Sequence, residues 1–275
     1  MPLPILNVRP TPSPDDLVRY FHRTELHYTQ PLGEEMQLEV GTAFTNPDIP
    51  DVHDANRILA AALPAGTSPA EGFAEVESHF AAKGTRCWRW MLNSSAPPAE
   101  TEPLREYLLS RGYVPDAVDV LYLASMPTGP IVEAGGLTII PARASFRHAR
   151  QLAEEGEARR KCPNLAEAQM LHLDDPHWDC LLALREGRPL ATIGVLAVGE
   201  LGRIEGLYVS ESARRQGIGR TMISRSMEIC ARSLFKHVFL TCAPENAAAR
   251  ALYQQFGFQK LATVTSYGPP DARVA

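Results

Sequence analysis

Short apolar runs and longer amphipathic stretches follow one another along the second half of the 275-residue chain. Apolar runs bounded by turn residues read as strands, and apolar positions spaced three and four apart read as helices. On this basis residues 137–140 are a strand, 145–160 a helix capped by Ser145, and 164–172 a second helix. Residues 178–184 and 189–198 are strands joined by the turn Glu186-Gly187-Arg188, and 203–209 is a further strand. A long helix over 217–234, a buried strand over 237–242, a helix over 246–256 and a strand over 258–267 complete the order β-α-α-β-β-β-α-β-α-β. An α/β fold with a mixed sheet and helices on both faces buries such runs.

The end of this order has a counterpart in the first half. Residues 70–83 read as a helix, 86–92 as a strand, 102–111 as a helix and 113–123 as a strand. The segments Leu104 to Tyr113 and Ala249 to Phe258 both run as a helix into Gly-aromatic, at Gly112-Tyr113 and Gly257-Phe258. In each, glycine ends the helix and the aromatic starts a strand. Together with the preceding helix and strand, this predicts an internal repeat. Between the two copies, Met126-Pro127-Thr128-Gly129-Pro130 and Gly135-Gly136 break every regular pattern. The expected organisation is therefore two domains, residues 1–128 and 136–275.

Composition adds limits. Hydrophobic residues at 45% and charged residues at 21% are ordinary for a globular protein. A formal net charge of −5 argues against a general nucleic-acid binder. No apolar run is long enough to span a membrane, and the first 20 residues lack a secretory apolar core. A cytoplasmic protein, as a monomer or homodimer, is expected. Cys87, Cys162, Cys180, Cys230 and Cys242 are scattered without CxxC spacing, so reduced thiols are expected and no metal site. His172, Asp174, Asp175 and His177 form a polar cluster that reads as surface loop, with Trp178 beside it as core.

The most informative segment follows the strand Ile204-Glu205-Gly206-Leu207-Tyr208-Val209. It is the loop Arg214-Arg215-Gln216-Gly217-Ile218-Gly219-Arg220, which opens a helix. Glycines at i and i+2 let the backbone turn so that several amides point at one place, at the positive end of a helix. Such a site suits a pyrophosphate, with the three arginines adding charge. A dinucleotide fingerprint would need a glycine where Met222 stands. A P-loop would need Gly-Lys-Ser/Thr, and Arg220-Thr221 after Gly219 does not supply it.

The stretch Val209 to Arg220 resembles the acetyl-CoA motif of the GNAT (GCN5-related) N-acetyltransferases. Asn246 to Phe258, with Asn246, Ala249, Leu252, Tyr253, Gly257 and Phe258 in place, resembles the second signature of that family, N-x-x-A-x-x-L-Y-x-x-x-G-F. Both motifs occur in the family's order and separation. The resemblance is strong over 190–262 and fair over 137–190. It implies an acyl-CoA N-acyltransferase fold, with acetyl-CoA as acyl donor and an amine as acceptor.

The resemblance also implies roles. The pantetheine arm would pair with the backbone of Leu207, Tyr208 and Val209, and a bulge at Gly206 would open the strand pair. Arg214, Arg215, Gln216, Gly217, Ile218, Gly219 and Arg220 would take the pyrophosphate. Asn246 would hydrogen-bond the cofactor, a role compatible with capping its helix. Tyr253 stands where the family places its general acid; a core aromatic is the plainer reading. Glu205 is the candidate base, with a solvent-facing residue or a partner for substrate charge as alternatives. A lysine-like amine is neutral in roughly one molecule in 2,500 at pH 7, so a base matters most for such acceptors. One branch of the family has a catalytic Glu five residues before the Asn, where this chain has Thr241. In the repeat, Leu108 matches Tyr253, Thr101 matches Asn246, and no RxxGxG precedes residue 137. The first half therefore reads as a degenerate GNAT-like domain that walls the acceptor cleft. Asn46-Pro47-Asp48-Ile49-Pro50 and Asp54-Ala55-Asn56 resemble the amino-terminal part of some tandem members. The expected function is transfer of acetyl to a primary amine of a small molecule or peptide; the alternative is a non-catalytic acyl-CoA-binding protein of the same fold.

Overall fold

The computed structural model describes residues 11–123 and 134–271. The expected boundary at 126–136 lies largely outside them. The first half contains α1 (Pro14–Thr29), β1 (Glu34–Gln37), β2 (Thr42–Thr45), β3 (Arg57–Ala61), α2 (Pro69–Ala82), β4 (Arg89–Leu92), α3 (Pro98–Ser110) and β5 (Val114–Leu123). The second contains β6 (Thr138–Pro141), α4 (Phe146–Arg160), α5 (Leu165–Asp174), β7 (Trp178–Arg185), β8 (Arg188–Val198), β9 (Leu201–Val209), α6 (Ile218–Arg232), β10 (His237–Cys242), α7 (Ala247–Gln255) and β11 (Phe258–Gly268).

Local chemistry explains where several helices begin. Ser13 and Ser68 each form a capping box, with Asp16 and Glu71, and proline occupies the first turn of both helices. α1 was not foreseen from periodicity, because three of its five buried positions, Thr24, Glu25 and Thr29, are polar. α3 starts four residues before the expected 102, since Pro98 can open a helix where its missing N–H costs nothing. The expected cap at Ser145 does not form; its hydroxyl meets His148 Nδ1 at 2.9 Å and a short 3-10 turn leads into α4.

All strands belong to one sheet, in the order β1-β2-β3-β4-β11-β5-β10-β9-β8-β7-β6. Each half contributes a parallel pair, β3 with β4 and β9 with β10. The last strands are exchanged: β11 lies antiparallel to β4 of the first half, and β5 lies antiparallel to β10 of the second. β5 and β11 then pair with each other from Leu123↔Phe258 to Val114↔Gly268. Neither half closes its sheet without the other. α6 and the α7 residue Tyr253 pack over one part of the sheet with Ile193, Val195, Ile204 and Phe258. α1, α4 and α5 share a second core with Phe239, Trp178 and Val264. α2 and α3 cover Trp90 and Ile58.

Candidate functional site

β9 carries the geometry on which the site depends. Its parallel pairing with β10 ends at Ile204↔Leu240. Beyond that point the two strands separate, and Glu205–Val209 present a backbone edge that β10 does not fill. On the opposite edge β9 stays paired with β8, through Gly194↔Glu205 and Thr192↔Tyr208 with one extra residue between. Gly206 sits in this bulge at φ +68, a left-handed conformation that costs glycine little. The side chains of Leu207 and Val209 lie under the first turn of α6, beside Gly219 and Leu252. Tyr208 points the other way, toward α4; burial and the Glu155 carboxylate push its hydroxyl up to about 12.

The loop after β9 delivers α6 with a bare start. Gly217 is the N-cap residue at φ +77, and no side chain caps it. The amides of Ile218, Gly219 and Arg220 have no intrahelical acceptor by position, so they form a patch of donors at the helix's positive end. Of the loop side chains, Arg214 turns back and its Nε donates to the Val209 carbonyl at 3.2 Å. Gln216 accepts from Arg185 at 2.7 Å and donates to Ser212 O at 3.1 Å. Arg215 is exposed at φ +62, and Arg220 donates to Gln255 at 2.8 Å. The donor patch and the open strand edge fit an anion joined to an extended amide-bearing arm.

Asn246 caps α7, its side chain accepting from the Ala249 amide at 3.1 Å. Tyr253 is buried on that helix, edge-on to Phe258 at 6.4 Å between ring centroids. Burial first, and then the charge of Glu205, raise its hydroxyl well above the ordinary tyrosine range. The structure thus brings Tyr253 and Glu205 within electrostatic reach of each other at the point where β9 and β10 part.

Glu205 also belongs to a buried charge cluster. Its Oε2 accepts from Arg203 Nε at 2.9 Å and Nη2 at 2.7 Å, with Thr241 Oγ1 at 3.4 Å. Arg203 reaches Glu25 on α1, Nη1 to Oε1 at 2.6 Å. That approach is a close ion pair, and Nη1 has no hydrogen-bond partner among the described residues. Arg57 of β3 holds the other Glu25 oxygen at 2.7 Å and Asp54 at 3.1 Å. Arg89 of β4 adds Asp54 at 3.0 Å and Asp116 at 3.3 Å. Burial opposes ionisation of Glu25, but Arg203 and Arg57 outweigh it and hold its carboxyl below the usual range. Asp54 is likewise penalised by burial and lowered overall by Arg89 and Arg57.

These side chains line a cavity of about 180 Å³ at the junction of the two halves. Its lining joins Glu205, Gly206, Tyr208 and Thr241 of the second half to Arg57, Arg89 and Asp116 of the first. Glu25, Tyr28, Asp54, Arg57, Arg89 and Arg203 were missed in the sequence. The signal that could have found some of them was the capping box opening α1. His172, expected at the surface, is buried instead, stacked on Tyr28 at 4.4 Å and on Trp178 at 5.1 Å. Burial depresses its imidazole to about 4. His177 stays outside and pairs with Asp175 at 3.2 Å. Among the described residues no group of three or more His, Cys, Asp or Glu could hold a metal ion, and no helix is long and apolar enough to cross a membrane.

Comparison with known proteins agrees with this geometry. The structure is similar to a GCN5-related N-acetyltransferase from Kribbella flavida, with TM-score 0.62, 19% identity, and coverage of 91% of this chain and 95% of that one. It is also similar to a conserved protein of unknown function from Staphylococcus epidermidis, with TM-score 0.58, 13% identity, and coverage of 86% and 93%. These likenesses establish the fold across both halves. In sequence, the chain is 36% identical over 91 residues to N-acetyltransferase family 8 member 3 of Rattus norvegicus, covering 30% of this chain and 40% of that protein. The sequence profile of the acetyltransferase (GNAT) family matches residues 144–258, the segment that contains the open edge of β9, the bare start of α6 and Tyr253. Over residues 144–258, therefore, this chain matches the acetyltransferase (GNAT) family.

Proposed function

We propose that the protein is an acetyl-CoA-dependent N-acetyltransferase acting on a primary amine of a small molecule or peptide. The observation that carries this reading is the open β9 edge running straight into the uncapped start of α6. Acetyl-CoA bound along them supplies a thioester-activated acetyl group. The amides of Ile218, Gly219 and Arg220 take the pyrophosphate, with Arg215 and the α6 dipole adding attraction. The backbone of Leu207 and the Val209 N–H face the open edge and hold the pantetheine arm, while the Tyr208 backbone between them pairs with Thr192 of β8; the Val209 carbonyl is already engaged by Arg214. Asn246 combines its cap with a side-chain amide free to donate toward the cofactor.

Tyr253 acts as general acid. Its raised pKa keeps the hydroxyl protonated, and it gives that proton to the departing sulfur. Glu205 receives the acceptor amine. Arg203 engages Oε2, while Oε1 accepts only the Gly206 N–H at 3.4 Å and keeps a lone pair for the incoming N–H. The first half, residues 1–128, serves as a GNAT-like domain without cofactor chemistry, closing the sheet and walling the acceptor cavity.

The test is thiol release from acetyl-CoA by the full chain across a panel of amines and amino-terminal peptides. Tyr253→Phe should lower kcat about 100-fold with KM for acetyl-CoA little changed, at the low end for general acids because a thiolate already leaves fairly well. Unchanged turnover in that variant would remove the general-acid role. Tight CoA binding with no thiol release on any acceptor would replace the enzyme with an acyl-CoA-binding protein.

A further inference from the structure

The charges around the junction cavity restrict what the acceptor can be. Four lining carboxylates, Glu25, Asp54, Asp116 and Glu205, face four lining guanidiniums, Arg57, Arg89, Arg160 and Arg203. Every one of the carboxylates has an arginine nitrogen within 3.3 Å. A site built for a polycation would hold carboxylates in excess, and this wall is balanced.

What the cavity has in excess is donors. Arg57 Nε is buried and has no hydrogen-bond partner among the described residues. Nε2 of His172, which also lines the cavity, is buried in the same condition. Burial keeps that imidazole neutral near pH 7, so its ring nitrogen can be protonated to suit a ligand oxygen. Arg160, at the end of α4, reaches the rim and forms no ion pair among the described residues, unlike Arg57, Arg89 and Arg203. Buried donors without acceptors are costly, and a ligand oxygen would satisfy them. The volume of about 180 Å³ is below the range of drug-sized ligands, which favours a small acceptor.

We infer that the acceptor is a small amine that also carries a carboxylate, of amino-acid type. Its amine meets Glu205 Oε1 near the parting of β9 and β10, and its carboxylate is received by Arg160 together with the unpaired donors of the wall. This assignment rests on the acetyltransferase reading, and it deepens that reading by selecting among amines. During transfer the amine nitrogen bonds to the acetyl carbon, the carbon–sulfur bond breaks, and the amine loses a proton while the sulfur gains one. The acceptor's carboxylate takes no part in the bond changes and serves only to bind.

The experiment uses the full chain and acetyl-CoA with matched acceptors. α-Amino acids are compared with their carboxamides, with the decarboxylated amines, and with spermidine as a polycation. The expected result is a kcat/KM for the carboxylate forms at least about tenfold above the carboxamides, the worth of one charge-assisted contact. In Arg160→Gln the KM for the carboxylate form should rise by about the same factor and the gap should collapse. Spermidine or the carboxamides matching the amino acids would overturn the proposal. A second arm separates this failure from failure of the acetyltransferase reading. If no acceptor releases thiol, calorimetric titration of the CoA-saturated chain with amino acid and carboxamide decides the matter. Carboxylate-selective binding lost in Arg160→Gln supports the site, and equal or absent binding overturns it.

Discussion

Replacing Glu25 by glutamine tests whether the buried cluster joins the two halves. Glu25 is 7% exposed and lies between Arg57 at 2% and Arg203 at 5%. The ion-pair distances are 2.7 and 2.6 Å, one to each carboxylate oxygen. Glutamine keeps the shape and removes the charge, so two buried guanidiniums lose a common counter-ion. Breaking a buried pair from one side costs about 3–5 kcal/mol. Here Arg57 keeps Asp54 and Arg203 keeps Glu205, so the expected loss is about 3 kcal/mol, the low end of that range. For a chain of this size that is a fall in Tm of about 6–12 °C. Urea unfolding followed by circular dichroism at pH 7 measures it directly. A cycle with Arg57→Gln should show a coupling of about 1 kcal/mol or more, because the two groups share a network. Acid sensitivity supplies a second signature. The folded Glu25 carboxyl is held below its unfolded value, so its contribution is present above about pH 4.5 and is lost as pH falls further. Glu25→Gln should lack that share of the acid loss. A destabilisation below about 1 kcal/mol, the level of an exposed pair, would refute the reasoning and mean that the cluster is effectively hydrated.

Two further outcomes follow from packing and titration. A Cβ at Gly194 would fall 1.9 Å from Trp178 Cζ2, so Gly194→Ala should cost about 2–3 kcal/mol and alter the near-ultraviolet signal of Trp178, and a variant with wild-type urea midpoint would show that the indole has room to move. His172 is depressed from 6.5 to about 4, so the fold keeps it neutral while the unfolded chain takes up a proton; its contribution, roughly 3 kcal/mol, is present above pH 6.5 and is lost as pH falls toward 4. Urea midpoints at pH 7, 6 and 5 should therefore drop more steeply in the parent than in His172→Gln, and parallel slopes would contradict the assignment.

Much of the second half was readable because its signals are local. Strands and helices from 178 to 268 fall within a few residues of their expected positions, since alternation and amphipathic spacing are properties of neighbouring residues. The bulge at Gly206 was readable too, because a glycine within a strand marks a backbone position that other residues occupy at a cost. The buried cluster was not. Glu25, the pair Asp54 and Arg57, Arg89 and Arg203 come from four separated segments, and each alone looks like an ordinary surface charge. His172 was misplaced for the same reason, since the Tyr28 and Trp178 rings that enclose it come from different elements.

Sequence alone determined the glycine-led, uncapped start of α6, the tyrosine on α7 and the class of fold, all of which are written in contiguous residues. Only the tertiary structure decided that β5 pairs with β10 and β11 with β4. Strand edges offer the same amide and carbonyl groups whatever their side chains, so periodicity cannot name a strand's neighbour. That exchange joins the halves in one sheet and brings Arg203 of the second half against Glu25 of the first, and so it makes the cavity at their junction.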